Sequence, residues 1–91
     1  MQVTLLIPAA LRMHSGGADQ LAVDAGTLRK ALHAVRREHA ALAQHLLTRD
    51  GELRPFVKAF VHSSDVRDLD GLDTMLNDGD TVAFVASVAG G

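Results

Sequence analysis

Five histidines, His14, His33, His39, His45 and His62, and an aspartate-rich run from Asp65 to Asp80 are the side chains that could hold a metal or move protons. Neither group has the spacing for it. His33, His39 and His45 step by six residues, about 240° of helical rotation, so on a straight helix they point in different directions. Placing Gly71 or Gly79 at the sixth position of a calcium loop puts Val66 or Thr74 first and leaves no glutamate at the twelfth. No G-K-[ST] follows any glycine, so no phosphate-cradling loop is present, and Ser15, Ser63 and Ser64 lack a nucleophile motif. Cysteine is absent, which removes disulfides, thiolate metal sites and a thiol nucleophile. What remains is the end of "ASVAGG", where the Gly91 carboxylate follows Gly90 with no Cβ on either residue. A chain without Cβ atoms enters channels too narrow for other residues. From Ala86 to Gly91 the extended reach is roughly 20 Å, at about 3.3 to 3.6 Å per residue.

A body is needed to present that terminus. With 91 residues and 47% apolar composition, one small domain is expected. Its net charge of −2 gives no support for nucleic-acid binding. The first residues carry no basic leader and no apolar run long enough for a membrane, so a cytoplasmic protein without membrane attachment is expected. Charge is uneven: Asp65 to Asp80 sums to −5 and the rest to +3, which reads as a solvated acidic face or a surface for a basic partner.

The hydrophobic pattern predicts the elements in turn. Gln2 to Ile7 reads as a strand with Val3, Leu5 and Ile7 on one face, stopped by Pro8. A loop turning at Gly16 and Gly17 leads to a second strand ending at Asp24, which forms a hairpin with the first. Thr27 is a helix N-cap, and Leu28, Ala31, Leu32, Val35, His39, Leu42 and Leu46 make one apolar stripe. The helix runs to Leu47 or breaks near His39; the spacing allows both. Phe56 to Val61 is the next strand. "VRDLDGLDTMLNDGD" reads as irregular chain with one helical turn around Leu72 to Met75, and "NDGD" turns into a final β-branched strand. A helix over one face of a mixed sheet of four to five strands is the β-grasp plan, an α+β fold. The expected division is a domain over residues 1–85 and a flexible diglycine tail over 86–91. Alternation places Val82 and Phe84 on one face of the last strand and Ala83 and Val85 on the other. One helix covers one face only, so Phe60 and Phe84 are candidates for an open docking surface.

"LDTMLNDGDTVAFVASVAGG", together with "VTLLIPAALRMHSGG" and "GELRPFVKAFVHSSDVRDLDGLDT", resembles the ubiquitin-like sulfur-carrier proteins of the MoaD/ThiS type, near the branch serving bacterial cysteine synthesis. The resemblance spans nearly the whole chain. Diglycine and D-G-D are weak signals separately and specific in combination at this spacing. Many members carry proline shortly before the diglycine, where this chain has Ala86 and Ser87.

The resemblance implies a carrier with no catalytic residue and no bound cofactor or metal of its own. An E1-like enzyme using ATP and magnesium would adenylate Gly91, a sulfur donor would convert the adenylate to a thiocarboxylate, and an acceptor enzyme would take the sulfur. A cysteine synthase-like enzyme or the large subunit of molybdopterin synthase is the implied acceptor. Phe60, Phe84, Ala86, Ser87, Val88 and Ala89 would meet these partners. The alternatives are a ubiquitin-like modifier joined through Gly91 to target lysines, and an interaction module without group transfer.

Overall fold

The computed structural model describes residues 1–87. Five strands form one sheet: β1 (Gln2–Leu6), β2 (Gln20–Asp24), β3 (Val57–Val61), the two-residue β4 (Ser64–Asp65) and β5 (Thr81–Ala86). Their order is β2-β1-β5-β3-β4. The last strand is therefore central, parallel to β1 and antiparallel to β3. Two helices, α1 (Leu28–Glu38) and α2 (Ala40–Leu46), cover one face of the sheet, which completes the β-grasp arrangement.

Alternation explains the core. Val3, Leu5 and Ile7, with Val57, Ala59 and Val61, and with Val82 and Phe84, all point inward and are buried. From the helices, Leu28, Ala31, Leu32, Val35, Leu42 and Leu46 meet them. Thr27 caps α1, its side chain accepting from the Lys30 N–H at 3.2 Å. The single stripe is broken at His39, whose backbone leaves the helical region at φ −139° and ψ 62°. His39 is the one polar residue of that stripe, and it is half-buried. Breaking there lets Leu42, Ala43 and Leu46 keep facing the core while the chain changes direction.

Three local features depart from the sequence expectation. The loop after β1 contains a 3-10 helix over Ala9–His14, pinned by the buried Leu11 and started by Pro8, whose carbonyl accepts from the Leu11 N–H. "HSSD" is a turn, as its composition predicts, but His62 and Ser63 at positive φ make it tight enough to bring an unexpected strand, β4, against β3. The irregular stretch carries two 3-10 turns, Val66–Asp68 and Gly71–Asp73, the second slightly ahead of the expected position.

Candidate functional site

β5 carries the chain toward its diglycine. Its register with β1 runs from Thr81 to Ala83, because Pro8 turns the chain away soon after β1 ends. Beyond Ala83, registered pairing continues with β3 alone, through Val57 and Ala86. A further bond ties the chain there: the Ser87 N–H donates to the Phe56 carbonyl at 2.9 Å. Ala86 is half-buried and Ser87 exposed. The expected boundary after Val85 therefore falls inside the strand. Val88, Ala89, Gly90 and Gly91 lie outside the described residues. Four residues span about 13 to 14 Å when fully extended, less than the reach counted from Ala86.

Beside this exit lies a cleft of about 340 Å³, lined by Ala10, Leu11, His14, His45, Phe56, Ala86 and Ser87. The His14 and His45 rings stack with centroids 3.6 Å apart and an interplanar angle of 16°. Burial, then His14, then Arg54 hold His45 below the ordinary imidazole range. His45 thus favours its uncharged form in the wall beside Ala86 and Ser87. Its two members are distant in the chain, and nothing in their spacing announced the contact.

The uncovered face of the sheet offers a second surface. Leu6 pairs with Ala83, and Ala83 with Phe60, so the three line up across β1, β5 and β3 with Phe60 half-buried. Val85 lies alongside, 46% exposed, opposite Lys58. The docking expectation thus places Phe60 on the open face and must be corrected for Phe84. Phe84 is 4% exposed and packs into the core, because it alternates with Ala83 and shares the helix-covered face with Val82. Leu6 and Val85 belong to the surface instead. Their exposure was legible in the alternation once the covered face was known.

The D-G-D turn positions β5. The Asp78 carboxylate accepts from the Gln2 N–H at 2.7 Å, and the Gly79 N–H donates to the Gln2 carbonyl at 2.7 Å. Gly79 sits at φ +89°, a conformation side chains rarely adopt. Buried Asp80 accepts from the Asn77 N–H at 2.8 Å, and its other oxygen lies 3.0 Å from His62 Nε2. Its carbonyl accepts from Thr4 at 2.9 Å, joining the turn to β1. These aspartates are structural, and they fix where the last strand begins.

Among the described residues no three His, Asp or Glu side chains come together as a metal site, and no helix is long and apolar enough to cross a membrane. What the geometry provides is a central strand aimed outward, with an apolar sheet face and a histidine-walled cleft near its end.

Comparison with known proteins gives that arrangement a family. The ThiS family pattern matches residues 5–91. The sulfur carrier protein CysO of Mycobacterium tuberculosis is 34% identical over 93 residues, covering all of both chains. The small archaeal modifier protein 3 of Haloferax volcanii is 38% identical over 68 residues, covering 75% of this chain and 73% of its own. In the crystal structure of the Amycolatopsis orientalis BexX/CysO complex, a chain 34% identical superposes with a TM-score of 0.86, covering 98% of this chain and 99% of its own. With the pattern matched to the final glycine and a relative aligned from end to end, the chain belongs to the ThiS family.

Proposed function

We propose that this protein is a sulfur carrier whose working group is the Gly91 carboxylate. The observation that carries the reading is the end-to-end similarity to CysO, a sulfur carrier protein. The position of β5, which leads out of the sheet toward the diglycine, supports it.

A carboxylate is a poor acyl donor because its leaving group would be oxide. In the proposed sequence its oxygen attacks the α-phosphorus of ATP on an E1-like enzyme that holds magnesium, and pyrophosphate leaves. Hydrosulfide delivered by the sulfur donor then adds to the acyl carbonyl and AMP departs, leaving a thiocarboxylate on Gly91. The acceptor enzyme, cysteine synthase-like or a molybdopterin synthase large subunit, takes the sulfur, and water regenerates the carboxylate. The chain contributes no catalytic side chain. Its residues orient the terminus: Ala86 and Ser87 anchor the tail at Val57 and Phe56, and Phe60 with its open-face neighbours supplies the docking surface. Val88 and Ala89 are assigned to the partner's channel.

Incubation with ATP, magnesium, a competent activating enzyme and sulfide is expected to add about 16 Da to the intact mass, oxygen replaced by sulfur. A chain lacking Gly91 should gain nothing. An unchanged mass with an enzyme that activates another carrier would overturn the proposal.

Similarity to small archaeal modifier protein 3 favours one other reading, conjugation of the same activated Gly91 to lysines of target proteins. Its mark would be covalent ladders in cells that vanish when Gly91 is deleted.

A further inference from the structure

Between the end of α1, α2 and the loop that follows it, three arginines line one trough. It has a volume of about 520 Å³, and Arg36, Arg49 and Arg54 line it together with Ala40, Ala43 and Leu47. Two of the guanidiniums are held in place by the backbone. Arg36 Nη2 donates to the Thr48 carbonyl at 3.1 Å, and Arg54 Nε donates to the Gln44 carbonyl at 2.9 Å. Each such bond uses part of a guanidinium's donor fork and leaves other N–H groups free to meet an anion, already oriented. Gly51, at φ +86°, turns the loop beside Arg36, whose Nη1 lies 3.9 Å from where a Cβ would stand, an ordinary contact distance. Among the described residues, the Arg49 side chain has no hydrogen bond or ion pair.

No carboxylate lines the trough. Asp50 and Glu52 sit on the same loop, yet Asp50 is absent from the lining and Glu52 faces a different cleft with Leu53 and Val66. The cationic groups are therefore uncompensated inside it, although the whole chain is net acidic. The floor is apolar, with exposed Ala40 over the buried Ala43 and Leu47, which follow one stripe of α2 and its end.

We propose that this trough docks an acidic and aliphatic segment of a partner protein, with a carboxylate on the arginines and a leucine-like side chain on the alanine floor. Charge complementarity chooses the carboxylate, and bidentate geometry explains arginine in place of lysine. The apolar floor chooses a peptide over a free anion, which would leave that floor bare. The trough shares no lining residue with the cleft at Ala86 and Ser87, although Arg54 also faces His45 in the wall of that cleft.

The test uses the full-length ¹⁵N-labelled chain and three probes: acetyl-Leu-Glu-Glu-Leu-amide, its Leu-Gln-Gln-Leu counterpart and inorganic phosphate. With the acidic peptide, chemical-shift changes are expected at the amides of Ala43, Gln44, Thr48 and Arg49 and at the Nε–H of Arg36 and Arg54. Affinity should fall about threefold or more between about 50 and 200 mM salt. Arg49→Glu, which breaks no observed contact, should keep the folded spectrum and weaken binding by about fivefold. Equal binding of the acidic and amide peptides would overturn the proposal. So would shifts spread evenly to Arg29 and Arg67, or phosphate reproducing the same shifts at the same concentration, which would make this a small-anion pocket.

Discussion

Two phenylalanines on adjacent strands show how a single register step separates structure from recognition. Ala59 faces Phe84 and Phe60 faces Ala83, so one ring enters the core and the other meets solvent. Phe84→Ala is expected to cost about 3 to 5 kcal/mol in urea denaturation, since it empties a buried site. Phe60→Ala should cost about 1 kcal/mol and, on the proposed function, weaken binding of the proposed activating enzyme by about tenfold, read by saturation kinetics. The reverse order of stability losses would contradict the assignment. Alternation separated Val82 and Phe84 from Ala83 and Val85 in the sequence, but the face covered by helices depends on topology, which residue types do not carry. The missing proline becomes intelligible at this scale too. Ser87 spends its N–H on Phe56, a bond that proline has no hydrogen to make.

At the scale of elements, the cap at Thr27 and the apolar stripe of the helices were legible in the sequence. The break at His39 was left open by it, because no glycine or proline marks the place. Tertiary packing decides it: α2 must seat Leu42 and Leu46 in the core and also bring His45 against His14 of the preceding 3-10 helix. That contact gives the junction a pH dependence. His45 has a lowered pKa in the folded chain, so the unfolded chain binds more protons just below the ordinary imidazole value. The contribution is present in full above about pH 6.5 and is lost as pH falls through the folded value. His14 and Arg54, which face His45, act in the same direction. Denaturation midpoints measured from about pH 8 down to about pH 5 should fall below the ordinary histidine value, and His45→Gln should flatten that slope. The pair between the Met1 ammonium and Asp24, 2.6 Å apart, acts elsewhere on the pH scale. The raised amine pKa contributes below its unfolded value and is lost as pH rises. The lowered Asp24 pKa contributes above its unfolded value and is lost in acid. β4 and the 3-10 helix escaped the sequence reading because each is imposed by contacts, β4 by a turn that holds His62 and Ser63 in left-handed conformations and the helix by the burial of Leu11.

For the molecule as a whole, strand order matters more than strand content. The parallel pairing of Thr4 with Thr81 joins distant parts of the chain, and among the described residues β5 is the only strand touching both β1 and β3. A chain truncated after Asp80 should therefore show no cooperative urea transition and poor dispersion of its amide resonances. A sharp transition in that variant would mean that the two halves of the sheet stand alone. The halves themselves have exposed seams, with Leu5 and Val57 losing the cover that β5 gives them.

Placing the last-made strand at the centre of the sheet has a consequence for synthesis. On a ribosome, every other element of the described body emerges before the strand that joins them. Until β5 is out, β1 and β3 have no common neighbour, and their inner edges stay unpaired. A chain interrupted upstream of Thr81 has no closed sheet, so a partner that grips the assembled open face would pass it by.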